Sequence, residues 1–464
     1  MARSEPGSEE EAAPRFELGV KDLQSSALPL GHAAGREQTP WRDRISHEMP
    51  GRLLVLSNGH GEDLIALRVL EALHRRRPQL QIAVLPLVGE GSAYAAAEGA
   101  GVLQRIGPRQ ALPSGGFSNQ SLRGLLSDLL AGVLGLSWRQ WRLVRRWGRS
   151  GDPLLAVGDL LPLLLAWGSG SSYGFIGTPK SDYTWASGPG QSPLADRYHR
   201  CKGSEWDPWE WALMAHRRCR LVAMRDRFTA RGLRRHGVAA LAPGNPMMDG
   251  LKAEPLAPAL QQRRRLLLLG GSRMPEALGN VQRLLDAVAL LSSSEPLLLL
   301  APCGSQPSPQ QWEPLLRGLG YAPAEAPVGM GAAAAWARGP VLLLVGPGRF
   351  AAWAAQAEVG LAAAGTATEQ LVGLGIPALS LPGPGPQFKL GFARRQSRLL
   401  GGAVAVCASP RQLAQRLELL LAEPRLRAQL GAIGQRRMGP AGGSEALALL
   451  LEQRLLGGAG GEAG

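Results

Sequence analysis

Short apolar runs alternate with longer amphipathic stretches along most of the chain. The first cycle opens with the apolar run Arg52–Ser57, which a glycine-containing loop joins to a helical pattern at residues 62–77. Further strands are predicted at residues 81–87, 154–157, 172–176 and 220–224, and a second series at residues 265–269, 297–301, 341–345, 358–362 and 378–381. Continuous apolar strands separated by helices are typical of a parallel sheet with helices on both faces.

A proline-containing break divides this pattern into two series. Residues 241–246, Leu-Ala-Pro-Gly-Asn-Pro, interrupt the periodicity, and residues 254–258 have the composition of a linker. The sequence therefore predicts an α/β fold with two doubly wound, Rossmann-like domains, at residues 50–245 and 263–456, joined by a linker at 246–262. We expect a disordered leader at residues 1–49 and a disordered tail at 457–464.

Composition and charge narrow the classes of function. The chain has 464 residues, enough for two or three domains, and 51 Lys+Arg against 37 Asp+Glu give a net charge of +14. This charge suits acidic partners, but no nucleic-acid-binding module accompanies it, so no nucleic-acid partner is expected. The four cysteines have neither metal-ligand nor disulfide spacing. No apolar run is long enough to span a bilayer, so we expect a cytoplasmic protein, soluble or peripheral on the inner face of a membrane.

The loop Ala-Gly-Thr-Ala-Thr-Glu at residues 364–369 lies between a predicted strand and a predicted helix. A Gly-Thr pair at a helix start presents backbone N–H groups and hydroxyls to an anion, and the helix dipole adds to the attraction. The carboxylate of Glu369, in the first turn, is suited to accept hydrogen bonds from ribose hydroxyls. The alternative is an ordinary N-cap with a favourable acidic residue in the first turn.

Three motifs, in order, resemble those of the lipid-A-disaccharide synthase family of GT-B glycosyltransferases. They are the loop at residues 364–369 followed by Gly375-Ile376-Pro377, the segment Leu269-Gly270-Gly271-Ser272-Arg273 with Glu276 beyond it, and the crossing Gly244-Asn245-Pro246-Met247-Met248-Asp249, which nucleotide-sugar epimerases share. The resemblance lies mainly in the second half of the chain. It implies a GT-B fold, with both Rossmann-like domains facing a central cleft, and a UDP-sugar as the donor substrate without a further cofactor.

The resemblance also implies a donor site in the second domain. Glu369 would bind the ribose, and the diphosphate would be held by Gly365, Thr366, Ala367 and Thr368. The diphosphate or the uracil would face Gly271, Ser272 and Arg273. Gln387 and Gln396 occupy positions where related transferases contact or support the donor sugar. For Gln396 the alternative is a solvated helix face.

The loop after the first strand is the predicted acceptor side. It carries two glycines and three ionisable side chains at a helix start: Asn58, Gly59, His60, Gly61, Glu62 and Asp63. His60 has an ordinary pKa near the operating pH, which suits a general base acting on an acceptor hydroxyl. The alternative for Glu62 and Asp63 is a favourable interaction with the helix dipole.

Two further polar positions follow strands of the first domain. Asp159 comes directly after the strand at residues 154–157, so it is a second candidate base, with a helix N-cap as the alternative. Lys180 lies in a polar loop that is a candidate acceptor wall. No Asp-x-Asp pair occurs in the chain, so no metal ion is expected, and we predict metal-independent transfer with inversion.

A tryptophan stripe suggests contact with an anionic membrane surface. Trp138, Trp141, Val144 and Trp147 recur at helical spacing, and arginines including Arg142, Arg145 and Arg146 occupy the other faces. The alternative is a helix that packs its tryptophans into the first domain.

The leading hypothesis is a glycosyltransferase that acts on a lipid-linked or amphipathic acceptor. Two alternatives remain open at this point. One is a UDP-sugar 2-epimerase-like enzyme, although the second predicted domain, residues 263–456, contains no histidine. The other is a non-catalytic nucleotide-sugar-binding protein, because the catalytic Gly-Ile-Asp-Ala-Pro-Asp pattern of the synthase is absent.

Overall fold

The computed structural model of the chain describes residues 51–108, 133–292, 295–304, 306–383 and 388–457. All of them belong to one compact unit. The predicted leader at residues 1–49 lies outside the described residues, and so does the predicted tail from residue 458 onward.

The first domain is built on a seven-stranded parallel sheet. Its strand order is β3-β2-β1-β4-β5-β6-β7, with Arg52 of β1 paired to Gln81 of β2 and Leu54 of β1 paired to Leu154 of β4. The strands are β1 (Arg52–Ser57), β2 (Gln81–Pro86), β3 (Gln104–Arg105), β4 (Leu154–Gly158), β5 (Tyr173–Gly177), β6 (Cys219–Met224) and β7 (Ala240–Leu241). The predicted parallel sheet is confirmed; the two-residue strands β3 and β7 at its edges are too short for a hydrophobic pattern to indicate.

Eight helices among the described residues flank this sheet. Helix α1 begins at His60, two residues before the predicted start, because Gly59 adopts a φ of +122° and ends the preceding loop there. The helices are α1 (His60–Arg76), α2 (Ala95–Gly99), α3 (Val133–Arg149), α4 (Leu160–Gly168), α5 (Tyr183–Ala186), α6 (Pro193–Lys202), α7 (Pro208–Met214) and α8 (Arg227–Arg234).

The second domain is built on an eight-stranded sheet with the order β10-β11-β12-β9-β8-β13-β14-β15. Its strands are β8 (Arg264–Leu269), β9 (Leu297–Cys303), β10 (Ala322–Ala324), β11 (Ala334–Arg338), β12 (Val341–Pro347), β13 (Val359–Ala362), β14 (Ala378–Ser380) and β15 (Val404–Val406). Strand β11 runs antiparallel to both β10 and β12, whereas the other neighbours are parallel. The antiparallel edge departs from the all-parallel prediction, because the short turn at Gly339 joins β11 and β12 without a crossover helix.

The helices that follow these strands complete the second domain and return to the first. They are α9 (Glu276–Val288), α10 (Pro309–Gly318), α11 (Phe350–Ala354), α12 (Thr366–Gly373), α13 (Leu390–Leu399), α14 (Pro410–Ala422), α15 (Pro424–Met438) and α16 (Gly443–Leu451). A π-helical turn, Glu452–Leu456, extends α16.

Helix α16 packs mainly on helix α1 of the first domain. Its leucines share a core with Ile65 and Val69 of α1, and Arg75 and Arg76 of α1 form ion pairs with Glu445 and Glu452. The sequence prediction assigned all of residues 263–456 to the second domain. The chain instead crosses between the domains a second time after Met438, because the apolar face of α1 needs α16 to cover it.

The two crossings touch each other. Asn245 donates from Nδ2 to the Met438 carbonyl over 3.1 Å, and the Asp249 carboxylate accepts from the Ser444 N–H at the start of α16 over 2.7 Å. A Cβ atom on Gly443 would lie 2.6 Å from the backbone of Asn245, so only glycine allows this approach. The motif at residues 244–249 therefore joins the two crossings.

Most of the tryptophan stripe of helix α3 packs against the core of the first domain. Val144 is fully buried, and Trp141 and Trp147 pack partly buried against the core of the first domain. Trp138, with 60% of its surface exposed, is the member of the stripe that faces solvent. The core-packing alternative therefore holds for Trp141, Val144 and Trp147, since an amphipathic pattern does not say what covers its apolar face. Arg142, Arg145 and Arg146 are exposed.

None of the helices in the described part of the chain combines the length and the apolar character needed to cross a bilayer.

Candidate functional site

The predicted site loops follow neighbouring strands in both sheets. In the first sheet β1 lies between β2 and β4, so the strand order reverses there, and the same reversal occurs at β8, between β9 and β13. Ligands of doubly wound sheets bind at such reversals, outside the carboxyl ends of the strands. The loops after β1 and β13 meet across the interdomain cleft, because a Cβ atom on Gly61 would lie 3.5 Å from the hydroxyl of Thr366.

A direct ion pair also crosses the cleft. Arg225, at the end of β6, donates from Nη2 to Oε2 of Glu369 over 2.7 Å, and the two side chains are 9% and 14% exposed. A second ion pair, between Asp196 of α6 and Arg398 of α13, spans 2.8 Å and is similarly buried. The two domains are therefore closed against each other around the cleft.

On the first-domain side of the cleft, Asn58 and Asp159 are hydrogen-bonded to each other. Asn58 donates from Nδ2 to Oδ1 of Asp159 over 2.8 Å, and the same oxygen accepts from the Leu161 N–H over 3.2 Å. Asp159 is thus the N-cap of α4, as one of the two readings of the sequence predicted. Burial raises the pKa of Asp159. Whether it also acts as a base stays a prediction.

Glu62 and Asp63 stand beside Asp159 at the start of α1. Burial, reinforced by the nearby charges of Asp159 and Asp63, raises the pKa of Glu62 to about 7. Burial also raises the pKa of Asp63 to about 6, and Asp63 has no exposed surface. A desolvated acid cannot ionise as readily as one in water. At pH 7 about half of the Glu62 population is therefore protonated, whereas Asp63 is mostly ionised. Whether either carboxyl group does more than interact with the helix dipole stays a prediction.

Lys180 is held away from the centre of this cluster. Its ammonium lies 2.6 Å from Oε2 of the fully buried Glu210 and stands over the ring of Trp206 at 5.0 Å. This pairing neutralises Glu210, while the positive charge of Lys180 opposes part of the rise that burial causes in the pKa of Asp159. Lys180 thus forms part of the wall of the first domain, and its contact with an acceptor stays a prediction.

Two predicted residues cannot be placed in this geometry. The backbone of His60 begins α1, but its side chain lies outside the described part of the chain. Gln387 lies in the segment 384–387, which is also outside the described residues.

The predicted donor loop, residues 364–369, has its backbone fixed by side chains. Thr368 is fully buried, and its hydroxyl donates to the Ala364 carbonyl over 2.7 Å. The amide of Gln396 on α13 donates to the Gly365 carbonyl over 2.9 Å. Gln396 is only 3% exposed, so the alternative of a solvated helix face is wrong. These contacts leave the N-terminus of α12 and the hydroxyl of Thr366 directed to the cleft.

The loop after β8 lies beside the donor loop. Gly271 has a φ of +96°, and a Cβ atom on it would lie 3.5 Å from the Ala363 carbonyl. Gly271, Ser272 and Arg273 line a small recess together with Ala363, Asn280 and Phe388. The structure therefore brings the two predicted donor segments together at the reversal between β8 and β13.

Sequence reasoning missed Arg225. Its guanidinium contacts Glu369 and also donates from Nη1 to the Thr178 carbonyl over 3.3 Å, while the Thr178 hydroxyl lies 3.4 Å from Oε1 of Glu62. An arginine directly after an apolar strand, at residues 219–224, was the available signal, because such a residue reaches the carboxyl edge of the sheet.

Comparisons with known proteins agree on the architecture. No protein-family model and no curated protein matches the chain. The structure is similar to the calicheamicin glycosyltransferase CalG4, with 14% identity and a TM-score of 0.55 over 87% of this chain and 99% of that chain. It is also similar to S. aureus MnaA, solved with UDP, with 14% identity and a TM-score of 0.52 over 85% and 94% of the two chains.

A third similar structure is UDP-GlcNAc 2-epimerase from Neisseria meningitidis bound to UDP-GlcNAc. Its identity to this chain is 12% and the TM-score is 0.51, over 87% of this chain and all of the other. At such identities the similarity concerns the fold. The chain therefore has the GT-B fold of glycosyltransferases and UDP-sugar epimerases, in which two Rossmann-like domains face a central cleft.

Proposed function

We propose that this protein is a glycosyltransferase that moves a sugar from a UDP-sugar to a lipid-linked or amphipathic acceptor. The observation that carries the proposal is the meeting of the loop after β1 with the loop after β13, where Gly61 faces Thr366. One loop supplies ionisable side chains, and the other supplies the free N-terminus of α12 with Glu369 in its first turn. An acceptor hydroxyl and a nucleoside diphosphate thus have complementary sites on opposite walls of one cleft.

The proposed reaction is a direct displacement. A base takes the proton of the acceptor hydroxyl, the hydroxyl oxygen bonds to the anomeric carbon, and the bond from that carbon to the diphosphate oxygen breaks. UDP leaves from the face opposite to attack, so the configuration inverts. The charge on the leaving diphosphate is met by the backbone N–H groups of Gly365, Thr366 and Ala367 and by Arg273. Thr368, expected from the resemblance to hold the diphosphate, instead donates its N–H to the Gly365 carbonyl and its hydroxyl to the Ala364 carbonyl.

Glu62 joins His60 and Asp159 as a candidate base, and it is the one we favour. Its pKa of about 7 suits proton transfer near neutral pH, and its side chain is partly exposed to the cleft. Asp159, by contrast, is occupied by Asn58 and the N-terminus of α4.

The test uses purified full-length protein with a panel of UDP-sugars. We expect UDP and at least one UDP-sugar to raise the melting temperature, and membrane lipid extract to accept the sugar from that donor in a radiolabel transfer assay. Glu62→Gln should retain UDP binding and lose transfer. If UDP and the UDP-sugars leave the melting temperature and calorimetric titrations unchanged, the proposal fails.

An epimerase is the second candidate function, because one of the similar structures is a UDP-GlcNAc 2-epimerase. The two activities differ in what they need: the epimerase converts its UDP-sugar without any acceptor. Incubation of the protein with UDP-GlcNAc alone, followed by NMR, distinguishes them. Formation of the C2 epimer supports the second candidate. Binding without either product supports a non-catalytic nucleotide-sugar-binding protein.

We infer that the acceptor is lipid-linked from the resemblance to lipid-A-disaccharide synthase together with helix α3. Trp138 is exposed, and the exposed arginines of the helix surround it with positive charge: Arg139, Arg142, Arg145, Arg146 and Arg149. An exposed tryptophan among arginines suits the interface of an anionic membrane. Peripheral binding there would bring the protein to its acceptor.

A further inference from the structure

Arg225 stands between the two carboxylates to which the proposed function gives different tasks. Its Nη2 lies 2.7 Å from Oε2 of Glu369, the proposed ribose ligand. Its Nη1 lies 3.3 Å from the Thr178 carbonyl, and the hydroxyl of the same Thr178 lies 3.4 Å from Oε1 of Glu62, the favoured base. A continuous path of polar contacts therefore joins the donor loop of the second domain to the base in the first.

The Arg225 guanidinium forms a direct ion pair with Glu369. The charge of Glu62 also acts on it, without a direct ion pair. With Glu369 as its partner, most of its charge is neutralised, and Glu62 keeps the environment that favours its protonated form. Water screens little at this depth, because Arg225 is buried, so a change in its pairing acts on Glu62 through a low dielectric.

We propose that Arg225 couples donor binding to the ionisation of Glu62. When the ribose hydroxyls of a UDP-sugar engage the Glu369 carboxylate, the guanidinium turns its charge toward Glu62, which releases its proton to solvent. At pH 7 the base is then mostly a carboxylate when the donor is bound and about half a carboxylic acid when the cleft is empty. This inference rests on the proposed function, and Arg225 acts in it as a positioning residue.

The other charged groups around Glu62 do not provide such a link. Asp63 on the same helix and Asp159 after β4 both favour its protonated form. Tyr94, packed beside α1, is held neutral because burial raises its pKa. Lys180 is committed to Glu210, and Asp226 caps α8 through the Thr229 N–H over 2.8 Å. The His60 side chain lies outside the described part of the chain, and a variant below separates its contribution.

The experiment measures proton release when a donor binds. Calorimetric titrations of the full chain with UDP-GlcNAc and with UDP-glucose at pH 7 are run in two buffers that differ in ionisation enthalpy. UDP-sugars are used because their diphosphate is a diester and has no proton to lose near pH 7. If the pKa of Glu62 falls from about 7 to about 6, binding releases ~0.4 proton per site, and the apparent enthalpy differs between the buffers accordingly.

Variants of the residues around the cleft show which side chain releases the proton when the donor binds. Glu62→Gln should bind UDP-GlcNAc within about threefold of the natural chain and release no proton. His60→Gln and Asp63→Asn should bind the donor and still release a proton when they do so. Arg225→Gln should bind the donor without release; because this change removes a buried ion pair, Arg225→Lys and melting curves for every variant accompany it.

The outcomes separate the inference from the function on which it rests. Donor binding with proton release that disappears in both Glu62→Gln and Arg225→Gln supports the coupling, whereas release that persists in a folded Arg225→Gln overturns it. Donor binding with equal enthalpies in both buffers overturns it and leaves the proposed function standing, and so does release that persists in Glu62→Gln. Absence of binding by both UDP-sugars overturns the proposed function and the coupling together.

Discussion

Three carboxylates of the cleft differ in state because their immediate neighbours differ. Glu369 has a guanidinium within 2.7 Å, Asp159 accepts hydrogen bonds from an amide and a backbone N–H, and Glu62 is buried among other acids. Pairing and hydrogen bonding favour a carboxylate, whereas burial beside like charges favours the acid. One cleft therefore holds an ion-paired carboxylate, a helix-capping carboxylate and a carboxyl group with a raised pKa.

Removal of the Glu369 carboxylate should weaken donor binding. We expect Glu369→Ala to reduce the affinity for a UDP-sugar by about 1–3 kcal/mol, the usual cost of losing hydrogen bonds to a charged group. Isothermal calorimetry with the donor measures the change. Glu325→Ala, at an exposed position of the same domain, is the matched control and should bind as the natural chain does.

Glu369→Ala also leaves Arg225 without its ionic partner, so its melting temperature must be recorded. Glu369→Gln retains an oxygen for that guanidinium and separates lost binding from lost stability. A UDP-sugar affinity that is unchanged in both variants would remove Glu369 from the donor site.

Protonation of Glu62 should make stability depend on pH. Its pKa is raised from 4.5 to about 7, so between these values the unfolded chain loses the proton before the folded one does, and stability falls as the pH rises. Glu62→Gln removes the free-energy cost of ionising this buried carboxyl group. It should therefore stabilise the protein by about 1–3 kcal/mol at pH 8, with little effect at pH 4.5. Melting curves at both pH values measure the difference.

Glu71→Gln is the control, because Glu71 is exposed on the same helix α1. It should leave the melting temperature nearly unchanged at both pH values. A Glu62→Gln variant that is equally or less stable at pH 8 would contradict the raised pKa.

Local pattern identified the two loops that meet in the cleft, but it could not find the partners of their side chains. The loops at residues 57–63 and 364–369 were predicted because glycines and polar groups at helix starts are local signals. The contact between Arg225 and Glu369 joins positions 144 residues apart, and no local property of either marks the other. His60 and Asp159 were the candidate bases because residue type and position after a strand are local signals, whereas the raised pKa of Glu62 depends on burial that only the folded chain creates.

At the scale of elements, helix α3 shows how an amphipathic pattern can be satisfied internally. Its spacing predicted the helix and its apolar face. The pattern could not say whether protein or membrane covers that face, since both environments reward the same residues. Most of the face is covered by the core of the first domain, where the ring of Trp141 packs against Gly168.

The tryptophans of helix α3 should differ in how much they contribute to the free energy of unfolding. Trp141→Ala and Trp147→Ala remove partly buried rings and should destabilise the fold by about 2–4 kcal/mol. Trp138→Ala, on the same helix, should change the free energy of unfolding by less than about 0.5 kcal/mol. Urea denaturation of the three variants compares them. Equal effects at all three positions would contradict the packing described above.

The exposed arginines of helix α3 should contribute to the binding of anionic vesicles. We expect the protein to sediment with vesicles that contain anionic lipid, and less so as the salt concentration rises. Arg142→Gln with Arg146→Gln should weaken this binding by about 1 kcal/mol per charge removed, with UDP binding unchanged. Arg145 is spared because it donates to the Gly168 carbonyl over 3.0 Å. Equal binding to neutral vesicles would exclude an electrostatic contribution.

For the whole molecule, the sequence predicted two doubly wound domains but not how they join. Continuous apolar strands and the break at residues 241–246 were sufficient for the two sheets. The short edge strands β3, β7 and β15 lack enough residues for a periodic signal. The return of α16 to the first domain could not be predicted either, because its apolar residues fit any core that leaves room for a helix.

The contact between the two crossings should be sensitive to one methyl group. Gly443→Ala places a Cβ atom 2.6 Å from the backbone of Asn245, and we expect a loss of about 1–3 kcal/mol, as for other overpacked sites. Gly279→Ala is the control, since nothing lies within 4 Å of a Cβ there. It sits inside α9 and should be neutral or stabilising by up to about 1 kcal/mol. Thermal unfolding of both variants tests the difference.

Transfer should proceed without a divalent metal. The chain has no Asp-x-Asp pair, and the proposed site meets the leaving diphosphate with backbone N–H groups and an arginine. We expect the transfer rate in excess EDTA to match the rate with magnesium within about twofold, a barrier difference of about 0.4 kcal/mol. Loss of activity in EDTA that magnesium or manganese restores would contradict this prediction.

The place of α16 has a consequence for the order in which the protein is made. Helix α1 ends at Arg76, and α16, whose leucines share its core, begins at Gly443. At about 5–20 residues per second, a ribosome needs roughly 20–75 seconds to travel from one to the other. In the part of that interval after β7, which ends at Leu241, the first domain has all the strands of its sheet but an uncovered apolar helix face. This nascent surface is where we expect a chaperone to bind, and the arrival of α16 would release it.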